Sequence, residues 1–97
     1  SGVLKDLFEL LHYIDRDDFL KPLIEQVYVD QKKEYILIPK IGKENILLGS
    51  MDYYETKFEN LEIFYKEGLR NVGWNKYKSI DLSIENQIIC EKIEQEN

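Results

Sequence analysis

Gly73-Trp74-Asn75-Lys76-Tyr77, Ser79-Ile80-Asp81-Leu82-Ser83-Ile84, Glu85-Asn86 and Gln87-Ile88-Ile89-Cys90 lie near the end of the chain. The run reads as a helix stop, an aromatic anchor, a strand, a tight turn and a last strand. A last strand can lie at a sheet edge, where its main-chain donors and acceptors stay unpaired. Such an edge receives any chain that can add a strand to it. Nothing comparable in the sequence points to catalysis.

Taking Glu85-Asn86 as a two-residue turn, with Asn where positive φ is tolerated, Ile84 faces Gln87, Leu82 faces Ile89 and Ile80 faces Glu91. Ile80, Leu82, Ile84 and Ile89 then share the core side of the sheet. Ile88 and Cys90 fall on the other side with Asp81 and Ser83. Two apolar side chains are thereby left on a polar face. Cover by a longer parent, or a bulge that shifts the register by one, would account for them. A partner-binding surface is the alternative, and spacing alone favours the first account.

Upstream, Leu4, Leu7, Phe8, Leu11 and Ile14 recur at helical spacing, so Val3 to Asp15 reads as an amphipathic helix. Asp17 or Asp18 caps a short turn through Leu20 that stops near Pro22. Ile24 to Val29 is β-branched and aromatic and reads as a strand. Asp30-Gln31-Lys32-Lys33 is a polar hairpin loop, Tyr35 to Ile38 a second strand closed by Pro39, and Ile46 to Leu48 a third ending at Gly49. Ser50 or Asp52 is the expected cap of the main helix. Tyr54, Phe58, Leu61, Tyr65 and Leu69 form its single apolar stripe, with Glu55, Glu59, Glu62 and Lys66 opposite. Gly68 or Gly73 ends it. The predicted fold is α+β, a mainly antiparallel sheet with two helices packed on it, in the order α-β-β-β-α-β-β.

Size and charge bound the function. A chain of 97 residues with 43% hydrophobic content suits one domain with one core. Thirteen basic against 19 acidic residues, a net charge of -6, disfavour nucleic acid and anionic lipid surfaces. Cys90 is the only cysteine, so no intrachain disulfide forms. No apolar run is long enough to span a membrane. Ser1-Gly2 reads as a processing remnant, residues 3–92 as the domain and residues 93–97 as a frayed polar tail.

Individual residues offer little chemistry. His12, the only histidine, has no evident nucleophile or orienting carboxylate and reads as a helix-surface residue. Asp15-Arg16-Asp17-Asp18 lacks the glycine and glutamate of a calcium loop. Cys90 has no second thiol for a metal and no activating base. Trp74 reads as a plug at the end of the core. No catalytic residue, metal site or cofactor is expected.

The ordered set Leu48-Gly49, Asp52, Lys57, Leu61, Phe64-Tyr65, Gly68-Leu69, Gly73-Trp74, Tyr77, Ile80-Asp81-Leu82 and Asn86-Gln87-Ile88 resembles the C-terminal β domain of the bacterial cell-division protein FtsQ (DivIB). Ile24 to Val29 also matches that family's strand after a helix and a short turn. Gly73-Trp74-x-x-Tyr77 and the Asn86-Gln87 turn most resemble its Bacteroidetes versions. The resemblance covers nearly all of residues 3 to 92. It implies the periplasmic part of a bitopic inner-membrane protein whose cytoplasmic tail, single transmembrane helix and POTRA domain are not in this chain. It implies a non-enzymatic scaffold of the division machinery, with FtsB and FtsL as partners. FtsB adds a strand to the last β-strand, which corresponds to Gln87 to Lys92, and touches the preceding helix, Asp52 to Leu69. On that resemblance the expected contact residues are Ile84, Asn86, Gln87, Ile88, Ile89, Cys90, Glu91 and Lys92, with Lys57 from the helix. The balance on Ile88 and Cys90 turns toward a partner surface.

Two departures stand out. Proteobacterial members carry an aromatic where this chain has Ile84 and near Lys92, so side-chain anchors differ while backbone pairing can persist. The chain also begins inside the family's domain, so an upstream strand is expected to be missing and a second sheet edge bare. A monomer or a weak edge-mediated dimer is expected. Two other classes compete. A small-molecule or lipid-binding module would need an apolar cavity between helix and sheet, lined by Trp74 and tyrosines. An enzyme would need His12 beside a cleft with an orienting partner.

Overall fold

The computed structural model describes residues 2–68 and 77–93. Trp74, Gly73 and Leu69, and the tail from 94 on, lie outside the described residues. The first helix, α1, spans Val3–Arg16, and a one-turn helix, α2, spans Leu20–Leu23. Asp17 joins them: its Oδ2 accepts from the amides of Phe19 and Leu20 at 3.1 and 2.9 Å, the capping role expected of it. Three strands follow, β1 at Ile24–Val29, β2 at Tyr35–Pro39 and β3 at Asn45–Gly49. The main helix, α3, runs over Tyr54–Ile63 and continues as a π-helical turn through Phe64–Gly68. Strands β4, Tyr77–Asp81, and β5, Ile89–Lys92, end the fold.

The five strands form one sheet in the order β1-β2-β3-β4-β5. Only β3 and β4 run parallel, because α3 and the turn after it carry the chain back across the sheet between them. The fold is therefore α+β with a mostly antiparallel sheet, as read from the sequence. Ile24, Tyr35, Leu37, Ile46, Leu48, Ile80 and Leu82 project from one sheet face into a core completed by Leu10, Ile14, Leu20, Phe58, Leu61 and Tyr65 from the helices. Six leucines and two isoleucines there retain no more than 1% of their surface. Fully burying each such side chain is worth roughly 1.5–3 kcal/mol.

Two helical details differ from expectation. Leu10 and Ile14 are the buried positions of α1, whereas Leu4, Phe8 and Leu11 stay exposed. The face that packs on the core runs through Leu7, Leu10 and Ile14, turned round the helix from the expected stripe, which left out Leu10. Tyr13 instead reaches the main helix, stacking on Phe58 at 5.6 Å and meeting Tyr54 edge-on at 5.1 Å. Neither Ser50 nor Asp52 caps α3. The residue before that helix is Tyr53, in the left-handed region at φ 58, and Ser50 Oγ accepts from the Asp52 amide in a local turn.

The C-terminal register is the main correction. The turn forms where expected: the Gln87 amide donates to the Ile84 carbonyl at 3.1 Å, and Asn86 sits at φ 64. The ladder does not close on it. Asp81 pairs with Ile89 and Ile80 with Cys90, one residue out of the register inferred from a two-residue loop. Asp81 Oδ1 accepts from the Ser83 amide at 2.8 Å, and the Leu82 amide donates back to Leu47 on β3. Those bonds hold Leu82 and Ser83 away from the last strand. Every side chain of β5 consequently changes face. Ile88 and Cys90 pack against the core, while Ile84 and Ile89, expected inside, are 54% and 52% exposed.

Candidate functional site

Among the described residues β5 has a neighbour on one side only, β4. The direction in which its main chain points follows from a bond two strands away. Leu82 donates its amide to the Leu47 carbonyl, at 2.8 Å, on the β3 side of β4. Backbone groups alternate sides along a strand, so Ile80 also faces β3, while Ser79 and Asp81 face β5. Their partners, Glu91 and Ile89, therefore spend their amides and carbonyls on β4. Cys90, lying between them, turns its amide and carbonyl outward to the open edge. Ile88 and Lys92 follow the same phase.

Beside that edge lies an open groove of about 330 Å³, lined by Asn60, Ile63, Phe64, Asn86 and Ile88. Asn60 and Ile63 come from the end of α3, Phe64 from the π-helical turn, and Asn86 and Ile88 from the β4–β5 connection. Ile63 and Ile84 leave apolar surface exposed near it, at 55% and 54%. Cys90 is half-buried on the core side, and burial pushes its thiol up from the ordinary value. Glu91 and Lys92 are exposed, and Glu91 pairs with Lys78 at 3.5 Å. Lys78 itself is the extra residue of a bulge between Tyr77 and Ser79.

The sequence-predicted residues thus divide. Asn86 and Ile88 line the groove, Ile84, Gln87 and Ile89 are exposed, and Cys90 offers its backbone. Lys57 is placed elsewhere. It is 3% exposed, and its Nζ donates to the carbonyls of Leu48 and Ser50 at 3.1 Å each. Burial pulls its pKa down, against smaller upward contributions from Asp52, Glu85, Asp81 and Glu34. Its amine ties the end of β3 to the main helix and faces no incoming chain. Sequence reading passed over Ile63, Asn60 and the groove, since it lies between segments distant in the chain.

The competing sites fare as follows. His12 lines a shallow depression with Glu9, Tyr13, Arg16, Asp17 and Tyr54, yet among the described residues it has no hydrogen-bond partner to orient it. Tyr54 in that depression is pushed up to about 12, by burial first and then by Glu9. No group of three or more His, Cys, Asp or Glu among the described residues could hold a metal ion. Between helices and sheet the buried apolar side chains form one cluster, and the depressions beside Ile63 and beside His12 open at the surface. No helix among the described residues is long and apolar enough to cross a membrane.

The family model described as FtsQ/DivIB, C-terminal related, matches residues 1–91. No curated protein and no solved structure matches the chain.

Proposed function

The chain belongs to the FtsQ/DivIB C-terminal related family, and from that membership we propose a division scaffold that takes a partner's strand along β5. Its family is one of non-enzymatic cell-division proteins, and this chain is a C-terminal domain of that kind. In our reading the domain stands in the periplasm and the partners are FtsB- and FtsL-like proteins. The single observation that supports strand addition is the free flank of β5, with the amide and carbonyl of Cys90 turned outward. Main-chain bonds to that flank supply affinity, and the adjoining groove selects the side chain that follows β5 on the core face. Ile84, Asn86, Gln87 and Ile88 border the incoming chain, Ile89 and Glu91 meet its side chains on the outer face, and Lys92 meets those on the core face.

Cys90→Pro tests this directly. Proline removes the outward amide, leaves the bonds of Ile89 and Glu91 to β4 in place, and sets a ring against the incoming strand. Binding of an FtsB-derived peptide, followed by fluorescence anisotropy, is expected to weaken about tenfold or more, from one lost hydrogen bond and the clash together. Unchanged affinity in a variant that melts as a folded protein would refute strand addition at this edge.

A further inference from the structure

Helices cover one face of the sheet; the opposite face carries its own pattern. Tyr28 pairs with Ile36, Ile36 with Leu47, Leu47 with Asp81 and Asp81 with Ile89, so these five residues form a row across all five strands. Ile36 and Leu47 are half-buried at its centre, and Tyr28 and Ile89 are 51% and 52% exposed at its ends. No described element packs on this face. A depression of about 120 Å³ sinks into it, with Ile36 and Leu47 in its lining and Asp30, Glu34 and Asp81 around them.

Those three carboxylates have no cationic partner among the described residues. The ion pairs there are Lys21–Asp15, Lys66–Glu62 and Lys78–Glu91. Asp30 and Asp81 each give one oxygen to local turn amides, which fixes their position without neutralising them. Lys57 feels Asp81 and Glu34, but it lies buried on the core side with its amine on two carbonyls. The result is an apolar floor with a negative rim in a chain of net charge -6. A second copy laid face to face would bring rim against rim, which like charges oppose.

We propose that this uncovered face is a second docking surface, separate from the β5 edge, for a basic amphipathic polypeptide segment. Its apolar side chains lie on Ile36 and Leu47, and its lysines or arginines reach Glu34 and Asp81. The geometry differs from strand addition: the contacts are side chain to side chain and leave the β5 backbone free, so both surfaces can be occupied together.

The test uses the full chain and a labelled synthetic peptide of alternating lysine and leucine. Amide shift changes on titration are expected at Ile36, Leu47 and Asp81. Glu34→Gln with Asp81→Asn, which keeps the Ser83 turn bond, is expected to weaken binding about three- to tenfold, the scale of two rim ion pairs. Leu47→Lys is expected to abolish it, and Cys90→Pro to leave it unchanged, so that failure here and failure of strand addition read out separately. Shifts confined to β5 would overturn the proposal. So would equal binding of a serine-leucine peptide, or unchanged affinity in the folded carboxamide double variant.

Discussion

Tyr65→Phe removes one oxygen and reports on the most exposed weakness of the core. Glu44 is 2% exposed and Tyr65 3%. The Tyr65 hydroxyl donates to Glu44 Oε2 at 2.8 Å, and Oε1 of that carboxyl has no partner among the described residues. Burial, followed by the bond to Glu44, drives the phenol well above its ordinary value. Deleting the hydroxyl strips a buried carboxyl of its donor. Such a loss costs about 1–3 kcal/mol, and more where the group is charged. Two kcal/mol would lower the melting temperature of a domain this size by roughly 8–16 °C. Urea unfolding with an unchanged m-value is the assay. The control is Tyr65→Phe combined with Glu44→Met, which removes the stranded carboxyl as well. The double variant is expected to be more stable than Tyr65→Phe alone, because replacing both partners by apolar groups is far cheaper than orphaning one. A Tyr65→Phe loss below about 0.5 kcal/mol, within the range of an ordinary surface change, would refute the reasoning.

Other outcomes follow from single positions. Gly49 sits at φ +78, and a Cβ there would lie 2.7 Å from the Ser83 Cβ and 3.1 Å from its Cα; Gly49→Ala is expected to cost about 2–4 kcal/mol in chemical denaturation. Lys57 titrates below its usual 10.5 in the folded state. The unfolded chain therefore holds the extra proton in the alkaline window beneath 10.5, and the stability of the wild type relative to Lys57→Met should rise with pH through it. Urea midpoints of both proteins from neutral pH upward check the sign, and a flat difference contradicts it. Ile89→Pro breaks a ladder bond to β4 and is expected to melt well below Cys90→Pro, which breaks none; thermal melts rank the two.

Periodicity and turn chemistry made the helices and strands legible. Asp17 as a cap, the polar turn at Asp30 to Lys33 and the positive φ of Asn86 are local decisions, made by side chains on their own backbone. The apolar stripe of α3 reads correctly at Phe58, Leu61 and Tyr65 for the same reason: spacing alone fixes a helix face. Register across the last strands is not local. It depends on Asp81 holding Ser83 and on Leu82 bonding to β3, neither of which two-residue loop arithmetic contains. Lys57 was expected at the partner surface on the family resemblance, which does not say which way its side chain points. Only the carbonyls at the end of β3 reveal why this one is inside. The groove escaped notice because it forms between the end of α3 and the β4–β5 connection, a juxtaposition that spacing along the chain does not contain.

The one-residue slip alters the functional argument more than it alters the fold. In the register inferred from the sequence, Leu82 opposes Ile89. Because Leu82 turns its amide to β3, that pairing would leave Ile89 unbonded to β4 and aim its backbone outward, with Cys90 bonded inward. The observed pairing of Asp81 with Ile89 inverts both assignments. Side chain and main chain exchange roles together, since both alternate with the same period of two. Ile88 and Cys90 thus lose the exposed side chains that first marked them as contact residues, yet they gain the outward main-chain groups that strand addition requires. Ile89 loses its place in the core, but it joins the outer row with Leu47 and Ile36. The parallel pairing of β3 with β4 is what fixes this phase. An edge whose hydrogen-bonding parity is set from inside the sheet therefore exchanges its outward main-chain groups together with its side chains when the last strand slips by one residue.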